Sequence, residues 1–450
     1  LLGLQIMGAL ETRNLDFENV FILSMNEGAF PAKSGANSYI PFNLRKGFGL
    51  PTIDQQDANY AYTFYRLLQR ASNIYLFHNT EIGSNLNGEM SRYLFQLIYE
   101  SNYDIVNTDL SNSIKPEVKL PITIQKTPQV LEKLFQYVLV DGIAQKRLAP
   151  SALSIYLDCR LKFYYRYILG LKENDAIQEK VDPAVFGNIL HLIMEKLYGD
   201  IIATRNDKMI YKEDFEHLAK EVNNALIQAF SIYFSNSATD AYIFEGTDII
   251  VSEIIKKYVA RILAFDKTYA PFQILGLEAN EKAGYIYNLP VYSNSKNILV
   301  GLKGVIDRID LKDEVVRVID YKSGSDKKEI ETIESLFDRE STKRNKAAFQ
   351  TFLYGLLFQS AHPHAEYEIM PAIFNIKEMF GENFDFRLKL KKEGLKGSDP
   401  INDVKPLLEP FTALLQDLLS EIYDPSIPFD QTNDLYKCSY CPYSGICHRN

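Results

Sequence analysis

With 450 residues, 46% of them hydrophobic and 24% charged, the chain has the make-up of a folded globular protein and the length for two or three domains. A net charge of −9 excludes a surface coated in basic residues for nucleic acid, although a local basic patch beside an acidic metal site stays compatible with it. No apolar run reaches the roughly 18 residues that a membrane span needs, and no signal-peptide pattern opens the chain, so no membrane association and a cytoplasmic location are expected.

The opening LLGLQIMGAL reads as the middle of a fold, and the chain is expected to be the C-terminal part of a longer protein. QIMGAL, FENVFILSM and NEGAFP alternate apolar stretches with polar breaks and read as strand, turn, strand and loop; a helix follows at about Asp57–Gln69, then a strand NIYLFHN. Residues 1 to about 125 are therefore expected to be α/β in character. The stretch GLQIMGALETRNLDFENVFILSMNEGAFP resembles the region around motif V of UvrD-type helicases, with Glu27, Gly28 and Pro31 in a Glu-Gly-x-x-Pro loop. YRLLQRASNIYLF resembles the motif VI region, which would put Arg70 at the arginine position. Where active helicases carry a Thr-x-His-x-x-Lys-Gly-type motif this chain has Gly8-Ala9-Leu10-Glu11-Thr12-Arg13, and it contains no phosphate-cradling GxxxxGK[ST] loop. No nucleotide site can be assembled from these residues, so a segment without ATPase activity is expected.

Residues 104–130, with Pro116, Pro121 and Pro128, read as connector, and VLEKLFQYVLVDGIAQ reads as a helix within a connecting stretch 126–148. At Ala149-Pro150-Ser151 the pattern restarts, and SALSIYLDCRLKFYYRYILGL keeps helical spacing to Gly170, which sets Cys159 inside a helix and opens a second domain, 149–450. Its Tyr and Phe residues suit a core, the alternative being stacking on bases. After Asp182-Pro183, an N-cap and first-turn pair, VFGNILHLIMEKLYGD places Phe186, Ile189, Leu190, Ile193, Met194 and Leu197 on an apolar face and Gly187, His191 and Glu195 along another stripe. A lone histidine on such a helix is more often structural. Two further helices, YKEDFEHLAKEVNNALIQAF and TDIIVSEIIKKYVARILAF, lead to a strand near Gln273–Glu281. Within it Glu278 is the acidic residue nearest upstream of the next hairpin signal, a candidate contributor to a site there, the alternative being a residue with no part in it.

Ile298–Lys322, ILVGLKGVIDRIDLKDEVVRVIDYK, is rich in β-branched residues, with Lys312-Asp313-Glu314 as its turn signal, and reads as a β-hairpin. A turn centred between Asp313 and Glu314 sets Asp307 directly opposite Asp320, on one face of the sheet. Like charges so placed destabilise a hairpin unless something positive lies between them. Lys322 points to the same face. A hard divalent cation, Mg²⁺ or Mn²⁺, held by both carboxylates would complete the cluster; the alternative is a solvated Asp/Lys edge.

Beyond the hairpin, Arg339–Lys346, RESTKRNK, carries four basic residues and one acid, either a solvated helix face or a contact for a DNA backbone. AAFQTFLYGLLF reads as a buried helix with Gln350 and Tyr354 on one face, and Glu366–Lys391 as two further strands around Met379–Asn383. The chain has four cysteines, Cys159, Cys438, Cys441 and Cys447, three of them in CSYCPYSGIC. In a cytosolic protein such spacing points to metal rather than disulfides; zinc and a [4Fe–4S] cluster both suit four thiolates, and residue types alone favour zinc.

The order Asp307, thirteen residues, Asp320-Tyr321-Lys322, within GVIDRID and VIDYKSG, resembles the PD-(D/E)XK nuclease core of the RecB and AddB type. LAPSALSIYLDCRLKFYYRYILGL resembles the opening of AddB-type nuclease domains, FGNILH the FGxxxH that precedes the core, and Gln350-x-x-x-Tyr354 the motif that follows the lysine. The resemblance implies a mixed central sheet flanked by helices after the helicase-like segment. It implies that His191, Asp307, Asp320 and the Tyr321 carbonyl hold the metal, that Lys322 orients the attacking water or stabilises charge, and that Gln350 and Tyr354 position the strand. It further implies a [4Fe–4S] cluster on Cys159, Cys438, Cys441 and Cys447. The expected function is that of a Mg²⁺-dependent DNA exonuclease module, paired with an AddA-like helicase-nuclease subunit and acting in double-strand-break repair. The competing expectations are a non-catalytic DNA-binding scaffold stabilised by the cluster and a stand-alone exonuclease of similar core.

Overall fold

The computed structural model describes residues 3–13, 15–32, 40–80, 82–83, 86–110, 120–171, 182–235, 242–279, 282, 284–293, 296–341, 343–381, 384–392 and 397–449. The chain divides into two units, Leu1–Pro116 and Glu117–Asn450. The connector residues 111–119, Pro116 among them, lie outside the described residues, as do Glu281 and Asn383. Among the described residues no helix is long and apolar enough to cross a membrane.

In the first unit, strands Asn19–Ile22 and Asn73–Leu76 pair in parallel, joined through the helix Ile53–Leu68. That helix begins where Thr52 and Gln55 form a capping box, four residues earlier than the apolar period suggested. Phe64 and Leu68 on its buried face meet Met25, Phe30, Tyr93, Leu94 and Leu97 in a small core. QIMGAL is not a strand. It has no regular structure before the 3-10 turn Ala9–Thr12, and the two-stranded parallel sheet does not include it. Arg70 lies on the surface, paired with Asp16 at 2.8 Å, and Glu27 pairs with Arg92.

The second unit is built on a five-stranded mixed sheet. Its order across the sheet is Glu368–Asn375, Val315–Lys322, Ile306–Lys312, Phe272–Ala279 and Met209–Ile210, with the first pair parallel and the others antiparallel. The helix Lys346–Ala361 connects the two parallel strands and packs Phe349, Phe352, Leu353 and Leu357 on one face of the sheet, against Ile309, Val316 and Val318. On the other face the helices Pro183–Ala203, Asp214–Ser235 and Thr247–Tyr269 bury Ile189, Ile193, Leu226 and Ile262 with Ile319, Tyr321 and Phe374. Strand alternation thus sends each hairpin residue to a different core from its neighbour.

The hairpin turns at Asp313 and Glu314, both in the left-handed region with φ of 49° and 60°, as a two-residue turn between right-twisted strands requires. Its ladder, from Lys312 with Val315 to Arg308 with Ile319, continues in the register that sets Asp307 opposite Asp320. The expected start at Ile298 is corrected. Lys296–Lys303 pairs instead with Ile286–Ser293 in a separate hairpin, because Gly304 and Val305 interrupt the extended run. The helix expected over 130–145 stops at Phe135; beyond it Val138 and Leu148 bridge to Val300 and Leu302 along the edge of that second hairpin. Cys159 likewise does not sit within a helix. It is the extended residue between Pro150–Asp158 and Arg160–Phe163, and its sulfur accepts the Lys162 N–H at 3.4 Å, as an N-cap oxygen would.

Candidate metal and catalytic site

Three adjacent strands each bring one carboxylate to the same level. Glu278 lies beside Asp307, since Leu277 pairs with Arg308 and Ala279 with Ile306, and Asp320 lies on the far side of Asp307. Asp307 and Asp320 are buried, at 8% and 1% exposure, so mutual repulsion is poorly screened. Glu278 holds a φ of 42°, a left-handed backbone unusual for glutamate and of the kind that strand ends adopt near functional groups.

The helix Pro183–Ala203 supplies the histidine. Asp182 caps it, its carboxylate accepting the Val185 N–H at 2.8 Å, and the apolar face fixes its rotation so that His191 looks along the strand ends. His191 Nδ1 is 3.7 Å from Glu278 and 3.6 Å from Asp307, while Nε2 lies 3.1 Å from the Tyr321 carbonyl. An Nε2–H donated to that carbonyl leaves Nδ1 free to accept a metal, the arrangement by which backbone carbonyls fix the tautomer of ligating histidines. His191, Glu278 and Asp307 offer ligand atoms all within 4.8 Å of one another. One nitrogen and hard carboxylate oxygens suit Mg²⁺ or Mn²⁺. The Tyr321 N–H donates to Asp307 Oδ2 at 2.8 Å and holds that side chain in place.

Asp320 stands one strand further, with Lys322 Nζ at 2.8 and 3.1 Å from its two oxygens. Lys322 also donates to Gln350 Oε1 at 3.2 Å, and Gln350 Nε2 donates to the Tyr354 hydroxyl at 2.6 Å. The helix bearing these two residues starts at Asn345, whose side chain caps it by accepting the Ala348 N–H and donates to the carbonyls of Lys327 and Glu329 just past the hairpin. His191, Asp307, Asp320, Tyr321, Lys322, Gln350 and Tyr354 are thus brought into one cluster, and Glu278, which the metal set expected from sequence omits, joins them. Its signal was present as the lone acid in the strand FQILGLEA; only the pairing of that strand with the hairpin revealed its place.

Burial dominates the titration of this cluster. It raises Asp307, helped by the charge of Asp320, to about 7, and raises Asp320 in spite of Lys322. For His191 burial acts downward, yet the hydrogen bond to Glu278, the Asp307 charge and the Tyr321 carbonyl outweigh it and lift the imidazole to about 9. Burial also opposes the Lys322 ammonium, and Asp320 reverses this, so its affinity for the proton ends above the ordinary lysine value.

The four cysteines form a second site. All are half-buried and line one cavity of about 250 Å³, together with Lys162, Arg344, Lys437 and Arg449. Burial raises the Cys438 and Cys447 thiols, so thiolates there need a compensating positive charge, and the cationic wall supplies part of it. The basic run 339–346 is largely consumed internally: Arg339 pairs with Glu421 at 2.6 Å, Arg344 with Asp158 at 3.0 Å, and Lys346 also with Asp158.

A family model described as the PD-(D/E)XK nuclease superfamily matches residues 147–448. Among curated proteins, the chain is 29% identical over 188 residues to the B-type subunit of the ATP-dependent helicase/deoxyribonuclease of Streptococcus agalactiae serotype Ia, covering 41% of this chain and 15% of the relative. It is 25% identical over 242 residues to the protein of the same name in Streptococcus pyogenes serotype M49, covering 54% and 19%, and 23% identical over 283 residues to that of serotype M6, covering 59% and 23%. The chain thus spans between 15% and 23% of the length of these relatives.

Proposed function

The chain belongs to the PD-(D/E)XK nuclease superfamily, and on that premise we propose that it is a deoxyribonuclease module that hydrolyses DNA phosphodiesters with a divalent cation. The observation that carries this reading is the row Glu278, Asp307, Asp320, flanked by His191 at one end and Lys322 at the other. A scaffold that only bound DNA would have no use for three buried or half-buried carboxylates in line.

His191 Nδ1, Glu278 and Asp307 would hold Mg²⁺ or Mn²⁺, with Asp320 and the remaining lone pair of the Tyr321 carbonyl able to complete its shell. When bound, the cation supplies Lewis-acid polarisation of the scissile phosphate and acidifies an attacking water. Lys322, kept protonated by Asp320, acts as a hydrogen-bond donor to that water or to the negative charge that develops, rather than as a proton acceptor. Gln350 accepts a hydrogen bond from the same ammonium and donates to Tyr354, and the two would form the wall along which the DNA strand is set.

The four cysteines would hold a [4Fe–4S] cluster in preference to zinc, with a structural task. The relatives' name, a subunit of an ATP-dependent helicase/deoxyribonuclease, supports a partner subunit of the AddA-like helicase-nuclease kind, DNA ends as substrate, and a role in recombinational double-strand-break repair in the cytoplasm. Within that reading residues 1–125 are a helicase-like segment without ATPase activity, 126–148 a connector and 149–450 the nuclease domain.

The test is cleavage of end-labelled linear DNA with Mg²⁺, by the chain assembled with its partner, against Asp320→Ala and Lys322→Ala. Each substitution is expected to lower the cleavage rate about 100-fold or more while DNA binding persists. A wild-type assembly that binds DNA but cuts it with none of the divalent cations would replace this reading with the scaffold.

A further inference from the structure

The reverse face of the hairpin carries charges for which the metal chemistry has no use. Asp266, Arg308, Asp310 and Arg317 are all at most 1% exposed. Arg308 donates to both oxygens of Asp266, at 2.6 and 2.9 Å, and Arg317 to both oxygens of Asp310, at 2.7 and 2.8 Å. The pairs are joined: Arg308 Nε lies 3.1 Å from Asp310, and Arg317 lies 3.8 Å from Asp266. Tyr198 donates to Asp266 at 2.6 Å, and the Arg317 guanidinium lies 3.4 Å from the centre of the Tyr269 ring. Buried ionic networks seldom add stability over apolar residues of equal volume; their best-attested use is to select one register.

Register is what this hairpin needs to have selected. Its front face opposes Asp307 to Asp320, a repulsive pairing, and its turn has no glycine at either left-handed position. The apolar stripe does not decide, because a slip of two residues keeps every side chain on its own face. One such slip would set Asp307 opposite Lys322, which the front face alone would favour, but it would strand Asp310 opposite Ile319 and set Arg317 opposite Lys312. The other would set Arg308 against Arg317. Only the observed register opposes Asp310 to Arg317.

We propose that the Asp310–Arg317 pair, braced by Asp266 on the helix Thr247–Tyr269 and by Arg308, is a register lock that holds Asp307 opposite Asp320 against their repulsion. These four are positioning residues. The inference rests on the reading of Asp307 as a metal ligand, and it separates from that reading in the test.

The full chain is compared with D310L/R317M and with D310L/R317M/D313N/E314G, in which an Asn-Gly turn dictates the same register by another means. Thermal unfolding, Mn²⁺ affinity by calorimetry and the crystal structure of the hairpin are read for each. The expected result is a folded D310L/R317M chain with a slipped or mixed hairpin and Mn²⁺ affinity weakened about tenfold or more, both restored by the Asn-Gly turn. A D310L/R317M hairpin in the original register overturns the lock, whatever its Mn²⁺ affinity, and so does a slipped one that the new turn does not restore. If both variants fail to fold, the network is a folding requirement and the lock is likewise overturned. A wild type that binds no Mn²⁺ sinks the metal-site reading instead, while the register of the variants still judges the lock.

Discussion

Glu278, Asp307 and the Tyr321 carbonyl hold a proton on His191 that a cation bound there would have to displace. With the imidazole raised to about 9 and Asp307 to about 7, the cluster carries protons at neutral pH that a cation must displace. As the proposed ligands, both groups would bind a cation only in their deprotonated forms, so affinity would be lowest where both are protonated. Mn²⁺ affinity is therefore expected to rise as pH goes from about 6 to about 9, with protons released on binding. Calorimetry in buffers of different ionisation enthalpy measures this, and an affinity flat across that range would contradict it. Glu278→Gln removes both a proposed ligand and the strongest upward influence on His191. It should weaken Mn²⁺ binding about tenfold or more and move the pH dependence to lower pH. Of the residues in this site the chain pattern alone yields Asp307, Asp320 and Lys322, because a symmetric turn makes their positions a matter of counting. His191 and Gln350 needed the resemblance, and Glu278 needed the neighbouring strand.

Among the elements, the segment leading into the hairpin comes close to the helix Lys346–Ala361 at Gly304. A Cβ there would lie 2.7 Å from Leu357 Cδ1 and 2.8 Å from Tyr354 Cε1, on a helix whose residues in this region are buried. Gly304→Ala should destabilise the chain by about 1–3 kcal/mol through overpacking. It should also slow cleavage, since displacing Tyr354 disturbs the chain of hydrogen bonds through Gln350 to Lys322. Urea unfolding together with single-turnover cleavage tests this; a variant as stable and active as wild type would show that the helix can retreat freely. The same glycine explains a misreading: β-branched residues lie on both sides of Gly304, so their composition runs two hairpins together. The break at Cys159 is illegible for a related reason. The apolar period continues through it, and only the sulfur's service as an N-cap reveals two helices.

Across the nuclease unit as a whole, the cysteine cavity joins the start of the chain's second unit to its end. Tyr156, Arg160 and Arg339 converge on Glu421 of the helix Lys405–Tyr423, and the strand Thr123–Ile124 pairs with Phe429–Asp430 shortly before the last three cysteines. A metal group on all four thiols would close a loop of about 280 residues and add up to roughly 5 kcal/mol by the chain-entropy argument. Cys438→Ser is therefore expected to lower the unfolding midpoint of the nuclease unit markedly and to abolish bound metal. Iron, acid-labile sulfide and zinc content of the purified wild type decide which group is present, and a chain free of all three would end the cluster reading. The α/β character, the helix that presents His191, the hairpin turn with its register and the cysteine spacing were all legible in the order of residues, because each follows from local periodicity or from counting across one turn. The place of Glu278 beside Asp307, the pairing of the basic run with Asp158 and Glu421, and the four buried charges behind the hairpin emerged only in the folded chain. These depend on which distant segments become neighbours, and no period along the chain encodes that.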